Sequence, residues 1–149
     1  MTVELIKRIM DAFYMGKRVR DMLPLLPEGV SPSYVRYLDT IEKLERKNGA
    51  VRVSDISMEM NVQRPGVTRT VREMEAKGYL RKTTSPDDGR VTYLEITEKG
   101  RTLSKKYNEE VFEEIIAALP PVSDEEAEIL IRTTEKFYRT MNSEEFKNE

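Results

Sequence analysis

The 149-residue chain contains no cysteine and no histidine. Without thiols there are no disulfides, thiolate nucleophiles, zinc–thiolate centres or thiol redox sensors. Without imidazole, the commonest general base and the commonest metal ligand are both missing. Any metal would have to be held by carboxylates alone. These two absences weigh against an enzyme, and neither a cofactor nor a metal is expected. Aromatic residues are sparse at 7%. The longest unbroken apolar run covers only residues 115–119, whereas a membrane-spanning helix needs about 20. The first 20 residues hold Glu4, Lys7, Arg8, Asp11, Lys17, Arg18 and Arg20. Neither a signal peptide nor membrane insertion is expected, and the expected location is the cytoplasm.

What is present is charge in an uneven distribution. Charged residues make up 35% of the chain and apolar residues 38%. The net charge of −2 hides three different regions. Residues 1–50 carry +2, residues 51–105 carry +3 and residues 106–149 carry −7. A mildly basic middle followed by an acidic end is compatible with an anionic partner in spite of the total, because local fields govern encounter.

Apolar periodicity divides the chain. Ile6, Ile9, Met10, Phe13 and Tyr14 recur at helical spacing and predict a helix over residues 3–22, broken by Pro24, Pro27 and Gly29. Ser31 followed by Pro32 predicts the start of a second helix with the stripe Leu38, Ile41 and Leu44, ending at Asn48-Gly49. Val51-Arg52-Val53 reads as a short β-like triplet. Ser54 is expected to cap a short helix that ends at Asn61. A longer helix over residues 64–77 follows, stopped by Gly78. It sets Val67, Val71 and Met74 on one face and Pro65, Thr68, Arg69 and Arg72 on the other. After Gly78 the period becomes two. Residues 79–84 and 91–97 predict strands with Leu80, Leu94 and Ile96 inward, joined by the polar connection 85–90. Thr97 is expected to cap a helix over residues 98–119, closed by Pro120-Pro121. Ser123 to Glu126 forms a capping box for a last helix reaching Met141. The final residues are expected to fray.

Helix, turn, helix and β-hairpin in that order is a winged helix-turn-helix. A bare helix fits the DNA major groove, and the hairpin reaches the neighbouring backbone or minor groove. Arg64, Arg69 and Arg72 lie along the free side of one helix with Thr68. Pro65 needs no N–H in a first helical turn, and Gly66 permits close approach. Arg90 at the hairpin tip can reach phosphate or a narrow minor groove. Asp88, two residues before it, is expected to orient the Arg90 guanidinium by a charge-assisted bond. The plainer reading is solvated surface charge on an ordinary helix.

Residues 65–100 resemble the core of the MarR family of transcriptional regulators. The marks are Met74-Glu75-Ala76-Lys77-Gly78 at the helix end, Asp88-Gly89-Arg90 in the wing and Ile96-Thr97-Glu98-Lys99-Gly100 closing the second strand. The family wing usually has arginine where this chain has Gly89. Lys82 stands where the first wing strand commonly has arginine, a point charge in place of a fork. The resemblance implies a mainly α fold with a small β-hairpin wing. It implies that the whole chain, 1–149, is one MarR-like domain, in which residues 31–100 form the DNA-binding lobe and residues 1–30 and 101–149 supply dimerisation helices. It implies DNA contacts from Arg64, Pro65, Thr68, Arg69, Arg72, Lys82, Asp88 and Arg90.

The resemblance further implies a homodimer on a pseudopalindromic operator, with Phe13, Phe112, Ile115, Ile116 and Phe137 expected at the interface. It implies a crevice for a small anionic aromatic effector, with Lys17, Tyr34 and Tyr37 as candidates. Tyrosines at this spacing beside Leu38 and Ile41 also serve as plain packing. The functional expectation is a dimeric, sequence-specific regulator of double-stranded DNA, a repressor relieved by the effector. The alternative is a winged-helix protein-interaction module with no DNA role. The paired acids Glu109-Glu110 and Glu113-Glu114 lie on a solvated helix face and carry no catalytic expectation.

Overall fold

A computed structural model describes residues 1–147. Helix α1 (Val3–Asp21) begins at Thr2, whose hydroxyl accepts the Leu5 N–H at 3.2 Å. Helix α2 (Pro32–Asn48) starts where serine followed by proline predicts it. The Ser31 side chain caps it, and it stops at Gly49, whose φ of 77° is in the region that favours glycine. The buried face of α2 is Tyr34, Tyr37, Leu38, Ile41 and Leu44, a helical stripe that anchors the core.

The next element departs from expectation. The triplet at 51–53 is not a strand. Val51 alone bridges to the wing, its carbonyl accepting the Leu94 N–H at 2.8 Å. Arg52 is the extended N-cap of α3 (Val53–Met60), so Ser54 lies inside the helix and does not cap it. The Asp55 carboxylate explains the shift, because it reaches back to accept the Arg52 N–H at 2.8 Å. That bond fixes the boundary two residues earlier than the serine suggests. Asn61 ends α3 in a left-handed conformation, φ 51°.

Helix α4 (Arg64–Ala76) buries Val67, Val71 and Met74. Its end is a Schellman turn. Gly78, at φ 78°, donates to the Glu75 carbonyl, and Tyr79 donates to the Met74 carbonyl. Strands β1 (Leu80–Thr84) and β2 (Thr92–Ile96) pair antiparallel, with Leu80 opposite Ile96 and Lys82 opposite Leu94. Leu80, Leu94 and Ile96 are buried, as the two-residue period requires.

Thr97 caps α5 (Glu98–Ser104) by accepting the Gly100 N–H at 3.2 Å. Gly100 is required by space. A Cβ there would stand 2.3 Å from the Tyr79 carbonyl oxygen and 2.7 Å from Ile96 Cγ2. The single helix expected over 98–119 is interrupted by a π-helical segment (Lys105–Glu110) before α6 (Val111–Ala118). Inside that segment the Asn108 amide donates to the Val35 carbonyl at 3.0 Å and to Ser104 Oγ at 2.9 Å. The wider turn thus coincides with a side chain tied to α2. The buried Ser104 hydroxyl donates to Glu42 at 3.1 Å. Burial pushes the Glu42 carboxyl above its ordinary range, against the lowering effect of that hydrogen bond and of Arg101.

The chain divides into two compact units, residues 1–112 and residues 113–149. The second holds α7 (Asp124–Met141), whose capping box is formed as expected. Ser123 accepts the Glu126 N–H at 3.2 Å, and Glu126 accepts the Ser123 N–H at 2.9 Å. The Ser123 N–H and the Ser123 hydroxyl both donate to the Glu126 carboxylate and lower its pKa. A short α8 (Glu144–Lys147) occupies part of the end expected to fray, and residues 148 and 149 lie outside the described residues. No described helix is long and apolar enough to cross a membrane.

Candidate nucleic-acid interface

The inward side of α4 is apolar and the outward side is cationic. Arg64, Pro65, Thr68, Arg69, Arg72 and Glu73 line an open groove along it. The spacing is the reason: 64, 68 and 72 are successive i+4 steps, and 69 lies beside them, while 67, 71 and 74 turn into the core. Pro65 lies in the first turn, where its missing N–H has no helical partner to lose. A Cβ on Gly66 would meet only Val62 Cγ1, at an ordinary 3.6 Å. Packing within the chain therefore makes no demand for glycine there, which leaves its smallness available to an outside surface.

The wing tip is ordered by two side chains. Ser85, buried at the base, accepts the N–H groups of Asp87 and Asp88 at 3.3 and 3.4 Å. The Asp88 carboxylate accepts the backbone N–H of Arg90 at 2.9 Å. This corrects the expected role of Asp88, which holds the Arg90 main chain and not its guanidinium. A carboxylate two residues before an N–H closes an Asx turn, and that short geometry wins over the longer reach to a flexible head group. The Arg90 side chain is left exposed at the tip.

Among the described residues, Arg64, Arg69, Arg72 and Arg90 enter no ion pair. The two cations of β1 differ from them. Arg81 pairs with Glu95 at 2.6 Å, which lowers the Glu95 pKa, and Lys82 pairs with Glu75 at 2.6 Å. Arg52 is a residue that the sequence does not single out. Its guanidinium lies 5.5 Å from the centre of the Tyr93 ring and ties the start of α3 to β2. An arginine before a helix carries no local signal for a partner about 40 residues away. The Ser85 turn does carry one, a serine ahead of Pro-Asp-Asp.

The other candidates are dispersed. Tyr34 and Tyr37 are 3% and 4% exposed, so both belong to the packed core. The Tyr34 hydroxyl donates to Glu73 at 3.2 Å, and Lys77 Nζ lies 5.3 Å from its ring centre. Lys17 is exposed on α1. Of the expected interface residues, Phe112 and Ile116 are exposed, and Phe13, Ile115 and Phe137 are half-buried. The described residues hold no cluster of three or more Asp or Glu able to bind a metal.

A helix-turn-helix with its cationic helix outward and a two-stranded wing behind it defines the winged helix-turn-helix class. Residues 28–91, somewhat under half of the chain, match the model of the MarR family, and the chain is similar to proteins named as HTH-type transcriptional regulators. It is similar to the uncharacterized HTH-type transcriptional regulator YdgJ of Bacillus subtilis (strain 168), 28% identical over 118 residues, 77% of this chain and 68% of YdgJ. It is 30% identical over 76 residues to the transcriptional repressor MprA of Escherichia coli (strain K12), 51% of this chain and 42% of MprA, so it spans less than half of that relative. The crystal structure of Streptococcus pneumoniae FabT in complex with DNA shares the fold, with a TM-score of 0.63 at 23% identity over 94% of this chain and 97% of FabT.

Proposed function

We propose that this chain is a homodimeric, sequence-specific double-stranded DNA-binding regulator that represses transcription by occupying its operator. The observation that carries this reading is the set of four arginines, 64, 69, 72 and 90, on α4 and the wing tip. They have no carboxylate partner among the described residues, in a chain whose net charge is negative. Exposed guanidinium groups on an outward helix are suited to phosphate and to guanine edges. The DNA complex of FabT, a fold neighbour, supports the same use of this scaffold.

Dimerisation is supported by apolar side chains left in solvent on separate elements. On α1 and its C-cap these are Val3, Val19 and Met22, and on α7 they are Ile129, Leu130 and Tyr138. Two recognition helices related by a two-fold axis call for half-sites about 34–36 Å apart. A small anionic aromatic effector that prefers a dimer with misplaced recognition helices releases the operator in proportion to its differential affinity. Lys17 on α1 is the accessible candidate for its charge, whereas Tyr34 and Tyr37 would have to leave the core to reach it.

The test is duplex binding at two salt concentrations, using DNA upstream of the chain's own gene and a scrambled control. Arg90→Ala is expected to weaken binding to every sequence and to flatten the log K against log salt slope by about 1. Arg69→Ala is expected to weaken binding and also to relax preference at one position of each half-site. If both variants bind as the parent does, α4 and the wing are not the interface.

A further inference from the structure

Lys82 differs from the other cations of this surface. Its Nζ lies 2.6 Å from Glu75 Oε2, and both side chains are little more than a third exposed. Strand alternation shows why. Lys82 sits opposite Leu94 and two residues from Leu80, so it shares the buried face of the wing with Leu80, Leu94 and Ile96. Arg81 takes the other face and pairs across the strands with Glu95. The Lys82 stem therefore runs along the inner rim of the wing, back to the last turn of α4. Glu75 is the residue that meets it there, next to the buried Met74. The pair spans the tight turn through Lys77, Gly78 and Tyr79, the stretch of chain that joins the recognition helix to the wing.

We propose that Glu75 and Lys82 form a positioning pair that sets the wing against the recognition helix, with Lys82 acting through Glu75 and not on a phosphate. This inference rests on the DNA-binding reading above. It carries an unusual sign. A carboxylate beside a DNA surface repels the backbone, so deleting one with no other job tightens binding. Deleting a carboxylate that holds the wing loosens it.

Two measurements on the full chain separate these cases. The first needs no DNA. The chain lacks cysteine, and a Cβ on Gly89 meets nothing within 4 Å. Gly89→Cys therefore carries a single fluorescent probe at the wing tip. Its anisotropy decay is expected to follow the tumbling of the body in the parent and to gain a fast component in Glu75→Gln. The Glu75→Lys/Lys82→Glu exchange is expected to lose that component again. The second measurement is duplex affinity across salt concentrations. Glu75→Gln and Lys82→Ala are each expected to weaken binding about two- to five-fold, the scale of one exposed ion pair. The salt slope stays that of the parent, and the exchange recovers most of the loss.

Tighter binding by Glu75→Gln, a slope flattened by about 1 in Lys82→Ala, or a decay identical in all three chains overturns the proposal. A parent that ignores every duplex sinks the DNA-binding reading instead. In that event the decay measurement alone still decides whether the pair fixes the wing.

Discussion

The carboxylate of Asp88 accepts the backbone N–H of Arg90 at 2.9 Å, and so the wing tip is shaped by an acid that stands where DNA is expected. Its two effects oppose each other: the turn presents Arg90, and the charge repels phosphate. Asparagine keeps the side-chain oxygen that closes the turn and removes the charge. Alanine removes both. Asp88→Asn is expected to bind duplex DNA more tightly than the parent, and Asp88→Ala more weakly, each by about two- to five-fold. Titration of labelled duplex at one ionic strength checks the order. Were alanine to bind as tightly as asparagine, the turn would contribute nothing.

Gly100 offers a test of the packing between the wing and α5. A methyl group there collides with the Tyr79 carbonyl, which also accepts the Thr97 N–H at 3.1 Å. Backbone cannot yield as a flexible side chain does. Gly100→Ala is expected to cost at least the roughly 1–3 kcal/mol of an overpacked core. Urea denaturation reads this directly. Gly66→Ala serves as the control, because its Cβ meets only an ordinary contact, and it is expected to leave stability nearly unchanged or slightly raised.

Glu42 gives a pH-dependent prediction. Burial raises its pKa in the folded chain above the ordinary value of 4.5. A raised carboxyl favours folding below the unfolded pKa, and that contribution is lost as pH rises through the folded one. At neutral pH the ionised group is therefore a burden. A glutamine at this position keeps an oxygen for the Ser104 hydroxyl without the charge. Glu42→Gln is expected to be at least as stable as the parent at pH 7, with the advantage fading as the solution is taken below pH 4.5. Urea midpoints of both chains across that range check it. A variant less stable than the parent at pH 7 would mean that the partner charge of Arg101, 3.9 Å away, outweighs burial.

Assembly is tested by mass in solution. Sedimentation equilibrium is expected to give twice the 17.3 kDa of one chain. Ile116 is 72% exposed, and Phe112, one helical turn earlier, is 45% exposed. Ile116→Glu is expected to shift the equilibrium toward single chains without unfolding the wing, because burying an unpaired carboxylate between copies is costly. A variant that stays dimeric would remove α6 from the interface.

Much of the fold is legible in the residues themselves. Ser31-Pro32, Gly49, Asn61, Gly78, Thr97 and Ser123 act within a few residues of where they stand, and each begins or ends an element as its chemistry dictates. The division of α4 into Val67, Val71 and Met74 against Thr68, Arg69 and Arg72 follows from a period of 3.6 and needs no knowledge of the partner elements. The start of α3 departs from the sequence expectation for a local reason. Two side chains compete to satisfy the same end, and Asp55 reaches back to Arg52 where Ser54 is the expected cap.

Chain chemistry by itself determined the order of helices, turn and hairpin, the inward and outward faces, and the absence of any thiol or imidazole chemistry, because these depend on residue type and short-range geometry. Only the tertiary structure decided which charges are engaged. The Glu75–Lys82 pair, the bond from Ser104 to Glu42, the π-helical turn at Asn108 and the place of Tyr34 and Tyr37 in the core all join atoms from separate elements. Distance in space between such groups is set by how whole helices and strands pack, and no short stretch of residues encodes it.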